Sequence, residues 1–372
     1  MKHSDERIRP APSFPFVEPV RLVDRHGRRV SHPSFTAPGH AVLTDLHRAM
    51  VIGRRFNLQA GTLARQGRLT VYPSSTGQEA AQVGGVLALS RQDWLFPTHR
   101  DSVALVTRGV DPIKALALFR GGRHVGYSPR RHHCAPQCMP PATNASHAVE
   151  LTYTARRRGH DDVAALAVLG DGAISEGDAH EAYDFAAVWN APVVFLVQND
   201  HWALRVPPRK KSMPRTHDTE SRKVRGYRVD GNDAAAVHAV VTHALARARA
   251  GGGPALVEAL THRIDLRTGP HTPQLRHERA EVDHWLARDP LNRMERLLRA
   301  EGILGDTEET ERSLAAFEAD AEKVAATVRA HMADQEALAT SSLFTDGPRT
   351  AAPVSKASTP GPDHRVTEGM KN

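Results

Sequence analysis

The stretch "GDGAISEGDAHEAYDFAAVWNAPVVFLVQND", residues 170–200, places polar residues directly after two apolar runs. The runs cover residues 163–169 and 192–198, and neither alternates with polar residues. Uninterrupted apolar strands are typical of a parallel sheet that is covered on both faces. Residues 176–189 have helical spacing, so the stretch predicts a strand–helix–strand crossover. One side of that helix should carry the apolar residues Ala182, Phe185, Ala186 and Trp189.

The two polar ends of this unit should meet at one edge of the sheet, where ligands of open parallel sheets bind. Gly170 and Gly172 allow backbone to approach a ligand closely, and the following helix N-terminus offers N–H groups to an anion. Asp171 and Asp200 add carboxylate oxygens, which suit Mg²⁺. The pattern therefore predicts a magnesium-diphosphate site. The alternative is a plain strand–turn–helix in which Asp171 only caps the helix.

The rest of the chain predicts further elements around this unit. Periodicity and capping indicate helices at residues 44–66, 77–90, 112–119, 146–158, 233–250 and within 281–336, and strands at 227–230 and 255–259. Together they predict an α/β fold with a mostly parallel sheet and helices on both faces. The domain should span residues 39–336, with an N-terminal extension at 1–38 and a disordered tail at 337–372.

Composition excludes several classes of protein. The chain has 372 residues, of which 40% are hydrophobic, so it can bury a large core. We expect no membrane span, because no apolar run is long enough to cross a bilayer, and no secretory signal. Two cysteines fit a cytoplasmic location. The net charge is +7, but the basic clusters are short and scattered, so we expect no nucleic-acid binding.

Several further motifs carry a family resemblance. They are "GQEAAQVG" (77–84), "DWLFPTHRD" (93–101), "RGVDP" (108–112), "YRVDGND" (227–233), "GGGPALVEALTHR" (251–263) and "RDPLNRM" (288–294). With the GDG stretch, and in this order and spacing, they resemble the alpha subunit of the thiamin diphosphate-dependent, decarboxylating component of 2-oxoacid dehydrogenase complexes. The pyruvate and branched-chain types are the relevant ones, and the resemblance covers about residues 40–335.

The resemblance implies a three-layer thiamin diphosphate-binding fold in a heterotetramer of two alpha and two beta chains. The alpha chain would hold thiamin diphosphate and Mg²⁺, and the beta chain would supply the glutamate that activates the cofactor. The assembled oxidoreductase would decarboxylate a 2-oxoacid and pass the acyl group to a lipoyl-bearing acyltransferase. The implied cofactor-binding residues are His99, Arg100, Asp171, Gly172, Ala173, Asp200 and Trp202, and the implied metal ligands are Asp171, Asp200 and the carbonyl of Trp202.

The candidate site departs from the family pattern. Asp200 stands where the family has Asn and adds negative charge beside a diphosphate, and His99 replaces a Tyr. The loop at residues 139–142 reads Met-Pro-Pro-Ala, and its prolines lack N–H donors. The family's cofactor-facing histidine aligns with Arg267, and His271 lies four positions further on. Either His271 serves in a shifted loop, or the histidine is lost and Arg267 compensates the charge of Asp200.

These departures leave alternatives open. The chain could be a catalytically degenerate alpha-type subunit with a structural or regulatory role. It could also serve a thiamin-dependent lyase or ligase of specialised metabolism, which would not need the lipoyl-facing histidine. A zinc site at residues 132–138 is a weaker reading, because the two cysteines have no second pair of ligands.

Overall fold

The apolar runs of the opening stretch form neighbouring central strands. The computed structural model of the chain describes residues 18–121, 126–200, 224–264 and 285–333. Its sheet has five parallel strands in the order β1-β2-β3-β5-β4. They are β1 (Trp94–Phe96), β2 (Ala165–Gly170), β3 (Val193–Asn199), β4 (Arg225–Asp230) and β5 (Ala255–Leu260).

Helices cover both faces of this sheet. The longer ones are α1 (His40–Arg65), α2 (Glu79–Leu87), α6 (Thr143–Arg157), α7 (Gly177–Val188), α8 (Ala234–Arg247), α9 (Pro290–Ala300) and α10 (Thr307–Ala333). The described residues also form three short helices, α3 (Ser102–Thr107), α4 (Pro112–Ala115) and α5 (Pro129–His132). The predicted tail at 337–372 lies outside the described residues.

Alternate residues of the central strands point into two separate cores. Leu166 and Val168 of β2 pack in the core shared with α1, α2 and α8, whereas Ala167 and Leu169 pack in the core shared with α6 and α7. A strand that is buried on both faces is apolar along most of its length, as the uninterrupted runs predicted. The arrangement confirms the predicted α/β fold with helices on both sides of a parallel sheet.

The predicted apolar side of α7 was wrong for two aromatic residues. Ala182 and Ala186 are buried, but Phe185 is 48% exposed and Trp189 is 36% exposed. Small alanines let the helix approach the sheet closely, so the large rings lie on the flank of the contact. There Trp189 stacks on Tyr153 of α6, with ring centroids 4.5 Å apart.

Residues 18–38, assigned to the N-terminal extension, pack on the edge of the sheet. Val20 donates its N–H to the carbonyl of Arg228 and accepts from the N–H of Asp230, at 2.9 and 3.0 Å. The Asp233 carboxylate then accepts the N–H groups of Leu22 and Val23. The segment thus continues the sheet beyond β4. Within the described ranges, no helix is long and apolar enough to cross a membrane.

A buried histidine in α1 should make folding sensitive to acid. His47 is 1% exposed and lies against Phe317 of α10. Burial lowers its pKa from 6.5 to about 4, with Glu295 opposing the shift and Arg299 adding to it. As the pH falls, His47 is therefore protonated at a higher pH in the unfolded chain than in the folded chain. The stability that depends on neutral His47 is fully present above pH 6.5 and is lost as the pH falls towards 4.

We expect this histidine to cost about 3 kcal/mol of unfolding free energy across that window. Denaturant unfolding of the wild type and of His47→Gln, at both ends of the window, measures the effect. The wild type should lose more stability than the variant by about that amount. Equal losses would assign the acid sensitivity to other groups.

Candidate functional site

The GDG turn and the Asn-Asp pair lie side by side at the carboxyl edge of the sheet. Gly170 pairs with Gln198 at the end of the β2–β3 register, so Asp171 follows one strand where Asn199 ends the next. Asp171 and Asp200 are each only 6% exposed. The structure therefore places Asp171 and Asp200, which stand 29 positions apart in the sequence, just beyond the ends of two neighbouring strands.

The turn after β2 presents backbone N–H groups at this edge. Gly172 precedes a short 3-10 turn, Ala173–Ser175, and α7 begins at Gly177. Within the described part of the chain, the N–H groups of Gly172 and Ala173 donate to no backbone carbonyl. A side chain at Gly170 would meet no atom within 4 Å, so the space beside the turn is open. Such a turn can accept an anion.

Arg100 supplies a cation whose contacts with the described residues leave most of its donors available. Its Nη1 donates to the carbonyl of Ser74 at 2.9 Å, which is the only hydrogen bond of its guanidinium among the described residues. Burial lowers the pKa of Arg100 to about 10, the charge of Arg263 adds to the shift, and Asp200 and Asp101 oppose it. A guanidinium in this setting favours an incoming anion.

Asn57 fixes the loop that holds Arg100. Its Nδ2 donates to the hydroxyls of Ser74 and Thr76 at 3.1 and 2.6 Å, and its Oδ1 accepts from the hydroxyl of Tyr72 at 2.8 Å. All these groups are buried. Asn57 thereby orients the Ser74 carbonyl, which in turn orients Arg100.

Replacing Asn57 with alanine should destabilise the protein by about 2–3 kcal/mol, because three buried hydroxyl groups each lose a hydrogen bond. Tyr72→Phe is the matched control, since it removes a single bond of the same cluster and should cost about 1 kcal/mol. Denaturant unfolding compares the two. A cost for Asn57→Ala no larger than that for Tyr72→Phe would contradict the organising role of Asn57.

His99 is uncharged at neutral pH. Burial lowers its pKa to about 4, and the charge of Arg100 adds to the shift. Its backbone N–H donates to the carbonyl of Cys138 at 2.9 Å, which ties it to the loop before α6. A neutral imidazole can hydrogen-bond a ligand as a tyrosine hydroxyl does, without adding charge.

Asp200 is paired with a partner that the sequence analysis missed. Arg263 Nε donates to Asp200 Oδ2, and the two side chains are 15% and 6% exposed. Arg263 follows β5, which pairs with β3, so strand order could have indicated the contact only once β5 was known to lie next to β3. Trp202, Arg267 and His271 lie outside the described residues, and the structure does not test their predicted roles.

The loop at residues 139–142 ends in an unusual backbone conformation. Ala142 precedes α6 with φ +64°, a left-handed conformation that favours glycine, and its side chain is fully buried. Beside it, Asn144 Nδ2 donates to the carbonyls of Phe96 and Val168, at the ends of β1 and β2. The divergent loop is therefore anchored at the same edge of the sheet.

The zinc reading of residues 132–138 receives no support. Among the described residues, no group of three or more His, Cys, Asp or Glu side chains is arranged to hold a metal ion. Cys134 is buried beside the Tyr127 hydroxyl, and burial raises the pKa of its thiol to about 12. A thiol in that state is a poor metal ligand. Asp171 and Asp200 offer two carboxylates, and their predicted third ligand, Trp202, falls outside the described ranges.

Comparisons with known proteins agree with this arrangement. The family described as "Dehydrogenase E1 component" matches residues 47–336. The chain is 40% identical over 290 residues to the 3-methyl-2-oxobutanoate dehydrogenase subunit alpha of Mycobacterium tuberculosis (strain H37Rv), which covers 77% of this chain and 79% of the relative. It is 32% identical over 303 residues to the pyruvate dehydrogenase E1 component subunit alpha of Staphylococcus aureus (strain N315), covering 79% and 80%.

Proposed function

The chain belongs to the dehydrogenase E1 component family, and from that premise we propose that it is the alpha subunit of a thiamin diphosphate-dependent 2-oxoacid dehydrogenase. The observation that carries the proposal is the carboxyl edge of the sheet. There Asp171 and Asp200 follow the ends of neighbouring strands beside an open glycine turn, and Arg100 lies within electrostatic reach of Asp200. Carboxylates, backbone N–H groups and a guanidinium together fit a metal diphosphate.

Each group has a distinct task in this proposal. Asp171 and Asp200 would hold Mg²⁺, with the carbonyl of Trp202 as a third ligand. The N–H groups of Gly172 and Ala173 would hold phosphate oxygens, and Arg100 would neutralise their charge. When bound, thiamin diphosphate supplies the electron sink for decarboxylation. This chain's own residues bind and orient that group.

We further propose that a beta subunit completes the site and that a lipoyl-bearing acyltransferase receives the acyl group. The names of both relatives contain the words "subunit alpha", which supports a second kind of chain. His271 or Arg267 would face the arriving lipoyl group. The higher identity to the branched-chain relative makes 3-methyl-2-oxobutanoate the first 2-oxoacid to test.

Calorimetric titration of thiamin diphosphate with Mg²⁺, into the chain alone and with a co-expressed beta subunit, tests the proposal. We expect magnesium-dependent binding in the assembled protein. Asp171→Ala should abolish binding, whereas Asp178→Ala should not, because Asp178 is an exposed acidic residue in the first turn of α7. Absence of binding in the assembled wild type would overturn the proposal.

One observation favours a second candidate, the catalytically degenerate alpha-type subunit. The carboxylate of Asp200 is already engaged by Arg263. If that contact cannot be exchanged for a metal, the chain would assemble with its partner and not bind the cofactor. The same titration separates the two candidates, because only the enzyme subunit takes up thiamin diphosphate.

A further inference from the structure

Asp200 and Arg263 form an ion pair at the position proposed for the metal. Thr261 donates its N–H to the carbonyl of Asn199 at 2.8 Å, so the chain segments after β5 and β3 remain joined beyond the ends of the strands. The guanidinium of Arg263 then reaches Asp200 Oδ2. Both side chains are largely excluded from solvent, at 15% and 6% exposure. The contact is thus a partly buried charge pair in the site.

Replacing the pair by a metal requires more than an available carboxylate. A guanidinium and Mg²⁺ repel each other and cannot both contact the same carboxylate oxygen at close range. A metal ion that binds Asp200 Oδ2 by itself must therefore separate Arg263 from that oxygen. The displaced guanidinium would remain in a partly buried site beside a second guanidinium, that of Arg100, whose pKa the charge of Arg263 already lowers.

A diphosphate lowers the cost of separating Arg263 from Asp200. It brings negative charge to the same edge of the sheet, and a guanidinium is well suited to phosphate oxygens. Arg263 can then exchange the Asp200 carboxylate for a phosphate oxygen, which leaves Asp200 available to the metal. The anion and the metal would each make binding of the other easier.

We propose that Arg263 is a resident cation that occupies the carboxylate of Asp200 until a metal and a diphosphate arrive together. The inference rests on the proposed function, because it assumes that this site takes a metal diphosphate. It assigns to Arg263 the neutralisation of Asp200 that sequence alone had suggested for Arg267. It also makes Arg263 a positioning residue that couples the metal to the anion.

Metal binding can be tested on the full chain, alone and assembled with its beta subunit, without any turnover. Mn²⁺, followed by electron paramagnetic resonance, is titrated with and without inorganic pyrophosphate. In the wild type, pyrophosphate should raise Mn²⁺ affinity about tenfold or more, and Mn²⁺ should raise pyrophosphate affinity by the same factor. Arg263→Gln should bind Mn²⁺ alone about tenfold more tightly than the wild type and show weaker coupling.

Two variants serve as controls. Arg48→Gln removes the same charge from an exposed pair with Asp320 and should leave metal binding unchanged. Arg263→Lys keeps a cation and should retain most of the coupling. Thermal unfolding establishes that each variant is folded, and if Arg263→Gln does not fold, the wild-type coupling alone decides.

These measurements distinguish a failure of the resident-cation proposal from a failure of the proposed function. Wild-type protein that binds Mn²⁺ alone as tightly as with pyrophosphate would overturn the resident-cation proposal and leave the proposed function intact. An Arg263→Gln variant with unchanged Mn²⁺ affinity would do the same. Wild-type protein that binds neither Mn²⁺ with pyrophosphate nor Mg²⁺ with thiamin diphosphate would overturn the proposed function, and the resident-cation proposal with it.

Discussion

Replacing Arg100 with methionine should lower the affinity for thiamin diphosphate about a hundredfold and leave the cofactor-free protein at least as stable as the wild type. The two effects have opposite signs because burial and the charge of Arg263 disfavour the Arg100 cation, and Asp200 and Asp101 compensate these effects only in part. Its guanidinium bonds only the Ser74 carbonyl among the described residues, and burial lowers its pKa to about 10. The folded chain therefore holds this charge at a cost that a bound diphosphate would offset.

Calorimetric titration with Mg²⁺ and thiamin diphosphate gives the affinity, and denaturant unfolding gives the stability. Arg100→Lys keeps the charge but loses the planar fork, so its affinity should fall between those of the wild type and Arg100→Met. If Arg100→Met destabilised the cofactor-free protein by several kcal/mol, Arg100 would be a structural residue rather than an anion ligand.

The carboxyl edge of the sheet was predictable from sequence because strand ends obey a simple rule. Two uninterrupted apolar runs that are joined by a helix must be parallel, and parallel neighbours end on the same side. Asp171 and Asp200 each follow the end of a run after a single intervening residue, so their placement at one edge of the sheet required no knowledge of the remaining strands.

Contacts that depend on strand order were not predictable in the same way. Arg263 reaches Asp200 because β5 inserts between β3 and β4, an order that chain sequence does not impose. The strand β1 was missed because three residues, Trp94–Phe96, carry too short an apolar pattern. Neither the strand order nor a three-residue strand produces a hydrophobic periodicity in the sequence.

The orientation of α7 was missed for a different reason. A search for apolar spacing gives Phe185 and Trp189 weight because they are hydrophobic, but contact with a sheet also selects for small volume. Ala182 and Ala186 fit between the layers, and the two aromatic rings do not. Packing volume therefore decided which apolar side chains were buried.

Replacing Arg54 with methionine should destabilise the protein by about 3–5 kcal/mol, the largest stability effect we expect. Arg54 bridges Glu79, which is fully buried, and Asp289, which is 5% exposed. Removing the guanidinium leaves Glu79 with the N–H of Gly77 as its remaining hydrogen bond among the described residues. A buried carboxylate with so little compensation is costly.

Denaturant unfolding of two neighbouring variants provides the comparison. Arg55→Met removes the adjacent arginine, whose pair with Glu322 is exposed, and should cost less than about 1 kcal/mol. Adding Glu79→Gln to Arg54→Met should recover part of the loss, because the unpaired charge is then gone. Additive effects of Arg54→Met and Glu79→Gln, or equal costs at Arg54 and Arg55, would contradict the buried-pair explanation.

The substitution of Arg54 should also weaken ligand binding at the candidate site. Glu79 accepts the N–H of Gly77 and so holds the turn that packs beside Arg263. Gly77 has φ +99°, and a side chain there would lie 2.2 Å from the carbonyl of His262. The Thr76 carbonyl accepts the N–H of Ile264 at 2.9 Å, so the turn packs against the residues on both sides of Arg263. Pyrophosphate affinity with Mn²⁺, measured well below the unfolding temperature, should therefore fall in Arg54→Met and stay unchanged in Arg55→Met. An unchanged pyrophosphate affinity in a destabilised Arg54→Met variant would mean that the turn keeps its position when Glu79 has lost Arg54. The ends of the strands alone would then fix Arg263.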